Sequence, residues 1–104
     1  MIAAGSLNRR MTLYAPLTQR SDTGTETTGW RVSGTVWAAQ ETLSLREIER
    51  MAGLASAAEA KFVIRYRDGV SSEFEILVDK RRYGVVSVEE VGHREGLRLL
   101  VRAL

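Results

Sequence analysis

The 104-residue chain lacks cysteine and contains a single proline, a single histidine and only 7% aromatic residues. The absence of cysteine excludes disulfide bonds, thiol nucleophiles and cysteine-ligated zinc. No apolar run approaches the ~20 residues that a membrane-spanning helix requires. With 44% hydrophobic and 27% charged residues, the composition is typical of a globular protein, and the length predicts one domain over residues 1–104.

Lysine is also scarce: of the 15 lysine and arginine residues, only Lys61 and Lys80 are lysines. Arginine favours bidentate contacts with carboxylates and phosphates, and it is enriched at interfaces. The formal net charge is only +2, which argues against a protein that wraps nucleic acid over its whole surface. A basic patch on one face of the protein remains compatible with this small net charge.

The first part of the chain predicts two strands separated by a polar loop. Alternation over Asn8–Ala15 predicts the first strand, and Pro16 is expected to end it because proline cannot donate to a strand ladder. Thr18–Gly29 carries no large apolar side chain and is expected to be an exposed loop. Thr35–Leu43 predicts the second strand, with Gly34 marking a bulge before it.

After the second strand the apolar period changes from two to that of a helix. Ser44 and Glu47 match the capping box, in which the two residues satisfy each other's free backbone donors. Apolar residues then follow at helical spacing. A short helix is therefore predicted within Ser44–Ala58.

The rest of the chain alternates at period two and predicts four more strands, around Ala60–Arg67, Phe74–Val78, Tyr83–Val91 and Leu97–Ala103. Short turns join them, including Asp68-Gly69. The pattern predicts a mainly β fold: a small antiparallel barrel or sandwich of about six strands with one short helix inserted after the second strand. The expected core is Met11, Leu13, Val36, Phe62, Ile64, Phe74, Ile76, Val85, Leu97 and Leu99.

Candidate catalytic residues are few, and none has a partner at a useful spacing. His93 lies in a polar turn, where an exposed histidine is the expected state. Glu89 and Glu90 are neighbours on a strand and therefore point to opposite faces. No nucleophile elbow, phosphate-binding loop or metal-ligand spacing is present. The sequence predicts neither an enzyme nor a cofactor or metal site.

Arg65 and Arg67 share one face of their predicted strand, opposite Phe62 and Ile64. Two interpretations stay open: a solvated face with cross-strand partners such as Glu73 and Glu75, or a basic face that meets phosphates or an acidic partner.

Trp30 and Trp37 flank the start of the second predicted strand. They are either core residues or interface anchors, and we assign Trp30 to the candidate interface.

The predicted helix also has two interpretations, since it either caps the open end of its own barrel or contacts another chain. The contact interpretation assigns four apolar residues to a subunit or partner interface: Leu45, Ile48, Met51 and Leu54. Arg46 and Arg50, one turn apart, would then face a neighbour's carboxylates or DNA phosphates.

Five weak motifs in a fixed order resemble the phage head–tail joining proteins, also called head-closure or stopper proteins. The resemblance covers nearly the whole chain. The segment between Trp37 and Arg65 varies greatly within that family, so no contact is transferred onto it. The motifs are Gly5–Tyr14, Asp22-Thr23-Gly24 leading to Trp30, Val36–Ala39, Ile64–Val70, and Arg82–Val88 with Arg94–Leu99.

The resemblance implies a β-barrel that assembles with copies of itself into a ring in the neck of a phage or phage-like particle. The ring would lie between the portal-bound adaptor and the tail terminator or another tail protein, and would help to close the channel for packaged double-stranded DNA. The protein would be made in the bacterial cytoplasm and would need no membrane. Gene-transfer particles of bacteria carry similar proteins. The alternative is a small OB-like barrel that binds single-stranded nucleic acid, which would require several exposed aromatics among basic residues on one sheet face.

Overall fold

The computed structural model describes residues 4–20, 26–51 and 58–104. A 3₁₀ turn over Ala4–Ser6 leads into the first strand. The remaining elements are strands β1 (Arg9–Arg20) and β2 (Glu26–Glu41), helix α1 (Leu45–Met51), and strands β3 (Ala60–Arg65), β4 (Glu75–Val78), β5 (Arg81–Val91) and β6 (Gly96–Ala103).

The six strands close into an antiparallel barrel in the order β1-β2-β3-β6-β5-β4. The predicted fold class is therefore confirmed, in its barrel form and with the helix after the second strand. In this order β1 lies three strands from β6 in both directions, and β2 lies three strands from β5. The wall formed by β1 and β2 is thus on the opposite side of the barrel from the wall formed by β5 and β6.

The barrel interior is filled by the inward set of alternating residues. Met11, Leu13, Ile64 and Leu99 have no exposed surface. Every residue of the expected core lies in this cluster, with Val36 at its margin. The ring of Phe62 meets that of Tyr83 edge to face, with centroids 5.8 Å apart.

Pro16 does not end β1, which continues to Arg20; this prediction was wrong. Strand β4 pairs with β1 only from Met11 to Tyr14, so Pro16 lies where β1 has β2 as its one neighbour. A strand with one free side tolerates the missing N–H of proline. The predicted loop is correspondingly shorter, because β2 begins at Glu26; residues 21–25 lie outside the described part of the chain.

The register between β1 and β2 shifts beside Gly34, as the sequence predicted. Leu13 pairs with Gly34 whereas Tyr14 pairs with Val32, which leaves Ser33 as the extra residue. Because of this extra residue, the alternation of outward-facing β2 residues moves by one position across the bulge.

The β4–β5 connection is shorter than the four residues left between the predicted strands Phe74–Val78 and Tyr83–Val91. Val78 pairs directly with Arg81, so Asp79 and Lys80 alone form the turn. Both have positive φ, 52° and 65°, as a type I′ hairpin turn requires. Arg81 and Arg82 consequently belong to β5.

The start of α1 is the predicted capping box. The Glu47 backbone N–H donates to Ser44 Oγ at 3.1 Å, and the Ser44 hydroxyl donates to Glu47 Oε1 at 3.1 Å. The described helix ends at Met51. The second half of the predicted helix, including Leu54, lies outside the described residues except for its last position.

Candidate assembly surfaces

Both tryptophans lie on the outer face of the β1–β2 ladder. Trp30 is 43% exposed and Trp37 is 52% exposed, so neither is a core residue. Val32, on the same strand, is 60% exposed. We call this surface the arginine–tryptophan strip; it consists of the cross-strand pairs Arg10–Trp37, Thr12–Thr35, Tyr14–Val32 and Pro16–Trp30.

Arginine side chains cover the aromatic rings of the strip. The Arg10 guanidinium carbon lies 4.9 Å from the ring centroid of Trp37. That of Arg82 lies 3.9 Å from the Tyr14 ring and 5.7 Å from the Trp30 ring. Arg82 is also fixed by an ion pair with Glu75, with its Nε donating to Oε1 at 2.8 Å. Cation–π contacts therefore hold the strip as an ordered basic and aromatic surface.

The strip extends beyond the barrel because β1 and β2 are longer than their other neighbours. β3 pairs with β2 only from Ala38 to Glu41. Over the described residues, β1 after Tyr14 and β2 before Ala38 pair only with each other. A two-stranded ribbon is marginally stable in water, so this ribbon depends on side-chain contacts such as those of Arg82.

Arg67 supports the free side of β2 at the bulge. Its Nη2 donates to the Ser33 carbonyl oxygen at 3.1 Å, and a Cβ built on Gly34 would lie 2.6 Å from its Nη1. Arg67 is half-buried, whereas Arg65 is exposed. No local sequence pattern indicates this contact, because it joins residues 34 positions apart that the pairing of β2 with β3 brings together.

The cross-strand partners expected for Arg65 and Arg67 were wrong. β3 pairs with β2 and β6, so β4 and its Glu75 do not lie beside it. Glu75 instead pairs with Arg82.

Helix α1 is attached to the outside of the barrel through β3. Lys61 points outward yet is only 8% exposed, and its Nζ donates to Glu47 Oε1 at 2.9 Å. This hydrogen bond with Lys61 is the main cause that lowers the pKa of Glu47, followed by the hydrogen bonds from Ser44. The helix start is thus tied to the barrel wall by a charged pair.

A groove of about 600 Å³ lies beside this ion pair on the β5–β6 wall. Arg98 crosses it, with its Nε donating to Glu41 Oε1 at 3.0 Å and its Nη1 3.8 Å from Glu89 Oε2. The Glu89 side chain is 67% exposed. We call this feature the helix groove; its lining is Glu47, Lys61, Val86, Ser87, Glu89, Arg98 and Leu100.

The apolar side chains of α1 that the structure describes stay outside the core. Leu45 is 71% exposed and Ile48 is 49% exposed. Arg46 is also exposed. The side chains of Arg50 and Met51 are not among those described. Of the two interpretations of the helix, the described residues favour a contact with another chain, because neither Leu45 nor Ile48 packs into its own barrel.

The single histidine, His93, is exposed in the β5–β6 turn. Nearby, the Tyr66 hydroxyl donates to Asp68 Oδ1 at 2.8 Å, which raises the pKa of Tyr66. Within residues 4–20, 26–51 and 58–104, no three His, Asp or Glu side chains converge as metal ligands. No helix in that same part is long and apolar enough to cross a membrane.

The family model of the phage head completion protein matches residues 2–104. The chain belongs to the phage head completion protein family. This membership makes it a phage structural protein and confirms the resemblance seen in the motifs. Membership in the head completion family indicates a structural component rather than an enzyme.

Two solved structures share the fold of this head completion protein. The solution structure of protein SF1141 from Shigella flexneri 2a is 22% identical, with 98% of this chain and 96% of that chain covered at a TM-score of 0.81. A chain from the virion of the native gene transfer agent (GTA) particle is 20% identical, with 93% and 94% covered at a TM-score of 0.64. At these identities the likeness establishes the fold alone. No curated protein matches the chain.

Proposed function

We propose that this head completion protein forms a ring between the portal-bound adaptor and the tail, in the neck of a phage or gene-transfer particle. Family membership over residues 2–104 supports the setting, and the fold shared with a chain of the gene transfer agent virion agrees with it. The observation that carries the assembly role is the outward position of Leu45 and Ile48 on α1. Exposed apolar side chains on an ordered helix are typical of a surface that another chain covers.

The partners in this proposal are other copies of the chain, the adaptor on the head side and a tail terminator or tail protein on the other side. Packaged double-stranded DNA passes through the channel of the ring, which the protein helps to close. Arg46 and Arg65 are exposed cations on different elements and are candidates to face DNA phosphates or a partner's carboxylates. The same assignment holds for Arg50 on sequence grounds, since it lies one turn after Arg46.

One observation favours the alternative, a barrel that binds single-stranded nucleic acid. The arginine–tryptophan strip places exposed aromatics among arginines on one sheet face, which such a barrel requires. However, Arg10 and Arg82 already lie over the rings of Trp37 and Tyr14. A base could stack on those faces only after it displaced the guanidinium groups. We therefore keep the structural role as the proposal.

The double substitution Ile48→Ser with Met51→Ser tests the assembly role of α1. Because Ile48 is already half exposed, we expect the purified variant to melt within a few degrees of the wild type. In cells that produce the particle, we expect filled heads and free tails that do not join, as counted by electron microscopy. Arg102→Ser, an exposed residue on β6, is the matched control and should join heads to tails normally. A large drop in the melting temperature of the double variant would instead assign the helix to its own core.

A further inference from the structure

The arginine–tryptophan strip and the helix groove lie on opposite walls of one barrel. The strip belongs to β1 and β2, and the groove is lined mainly by β5 and β6. In the barrel order these pairs of strands are diametrically opposed. The two surfaces therefore cannot contact each other within one molecule, but they can meet between two molecules that are arranged head to tail.

The two surfaces have complementary chemistry. The outward face of the strip carries Arg10 and no acidic residue, and Arg82 of β5 lies over its Tyr14 ring. Its most exposed aromatic side chain is Trp37, directly opposite the exposed Arg10. The groove offers an apolar wall at Leu100 and an exposed carboxylate at Glu89. An indole and a guanidinium on one side thus face a groove that offers the apolar side chains of Val86 and Leu100 and the carboxylate of Glu89.

We infer that Trp37 of one copy enters the helix groove of the next copy, with its Arg10 facing the neighbour's Glu89. Tryptophan and arginine are the side chains most enriched among the residues that dominate binding energy at interfaces. The contact is heterologous, because different surfaces of the two copies meet, and repeated contacts of this kind generate a ring when the rotation between copies closes. The inference rests on the proposed function for the ring itself, and it identifies the two surfaces that form the ring contact.

The charges favour a second copy over nucleic acid as the occupant of the groove. Glu47 and Glu89 line it, and Lys61 and Arg98 are already engaged by carboxylates. A phosphate backbone would meet these carboxylates without a free cation to bind it. A neighbour's Arg10 would instead gain a partner in Glu89, which has only a 3.8 Å approach to Arg98.

A single contact of this kind is weak. A stable interface buries about 1,600 Å² in total, whereas the strip contributes two half-exposed tryptophans and one valine. Each protomer in a closed ring makes the contact twice, so ring closure and the partner surface add to the stability. The interface is therefore expected to populate at high protein concentration or on the adaptor.

The absence of native cysteine allows the contact to be tested by disulfide trapping. Thr35→Cys places a thiol in the strip, two residues from Trp37, and Ser87→Cys places one in the groove. We expect a mixture of the two single variants, oxidised at high micromolar concentration, to form mixed dimers at least tenfold faster than either variant forms dimers with itself. Ser72→Cys, exposed in the turn before β4, replaces Ser87→Cys in the control mixture and should give only the slow background. Equal rates in all mixtures, or a Thr35→Cys dimer as fast as the mixed dimer, would overturn the inference.

A charge exchange tests the role of the ion pair across the contact. Arg10→Glu introduced into the Thr35→Cys variant should slow mixed-dimer formation about tenfold, as should Glu89→Arg introduced into the Ser87→Cys variant. Combining the two changed partners should restore most of the rate, which is the signature of a direct interaction. If the single changes have no effect, or if the strip crosslinks only when a single-stranded oligonucleotide is added, the inferred pairing is wrong.

The crosslinking test of the ring contact and the head–tail joining test of the neck function can each fail without the other. Rapid, charge-dependent mixed dimers together with normal head–tail joining in particles that lack the protein would refute the proposed function and leave the contact standing. Background crosslinking together with a joining defect of the Ile48→Ser, Met51→Ser variant would do the reverse.

Discussion

The ammonium group of Lys61 and the carboxylate of Glu47 form a 2.9 Å ion pair that fixes the start of α1 to the outer wall of β3. Lys61 is the only charged residue that is buried in the described part of the chain. Because Ser44 also binds Glu47, the same carboxylate completes the helix cap and anchors the helix to the barrel. The position of α1 beside the helix groove therefore depends on one glutamate.

Glu47→Gln should lower the melting temperature at neutral pH. The pKa of Glu47 is lowered from its ordinary value of 4.5, so the folded state favours the ionised carboxylate. The stabilisation is fully present above pH 4.5 and is lost as the pH falls through the lowered pKa of the folded state. Thermal melts between neutral pH and pH 3 should show the difference between wild type and variant shrinking below pH 4.5. Glu49→Gln, exposed on the same helix, is the control and should melt like the wild type; a difference that stays constant with pH would contradict the prediction.

Ile64→Asp and Leu99→Asp should each prevent stable folding. Both side chains are completely buried in the barrel core, and an unpaired buried charge costs about 4 kcal/mol or more. Arg31→Ala, at an exposed position in β2, should change the free energy of unfolding by less than about 0.5 kcal/mol. Urea denaturation measures all three. Aspartate variants with midpoints close to that of the wild type would mean that the inward and outward faces are reversed.

Gly34→Ala should destabilise the β2 bulge. The new Cβ would lie 2.6 Å from Arg67 Nη1, so the guanidinium at the end of this flexible side chain must shift, which weakens its hydrogen bond to the Ser33 carbonyl. Complete loss of such a hydrogen bond costs about 1 kcal/mol, so the largest expected drop in melting temperature is about 4–8 °C for a small domain. Gly29→Ala is matched to it, because it lies on the same strand and has no atom within 4 Å of the Cβ position. The prediction is wrong if the two alanine variants melt at the same temperature.

The purified protein should be a monomer at low micromolar concentration. In the described part of the chain, the exposed large apolar residues are divided between the strip, the helix and Leu104 after β6, whereas an obligate interface needs a large continuous apolar surface. Light scattering of the wild-type chain at increasing concentration measures this directly. A ring that is stable at low micromolar concentration without any partner would contradict it.

Alternation at period two predicted the six strands and the inward residues of the core, but it missed the extension of β1 past Pro16 and the start of β2 at Glu26. Leu97, Leu99 and Val101 face inward as the pattern indicated, because a strand that is solvated on one side must bury its other side. The capping box predicted the start of α1 in the same way, since the hydrogen bonds between Ser44 and Glu47 join residues only three positions apart. Strand alternation and helix capping both depend on residues that are close in the chain, so the sequence alone indicates them.

Only the tertiary structure decided which distant residues share a surface. Strand order places Arg67 on Ser33, Arg82 on Tyr14 and Glu75 beside Arg82 rather than Arg65. The continuation of β1 through Pro16 followed from β4 being too short to pair there, which no local pattern indicates. The tertiary structure also places Trp30 and Trp37 on the outside of the barrel. The sequence by itself determined a six-stranded β domain with one capped helix, because local periodicity and capping depend on residues close in the chain. The strip, the groove and their opposite positions arise from barrel closure, because closure selects among long-range pairings that local sequence leaves equivalent.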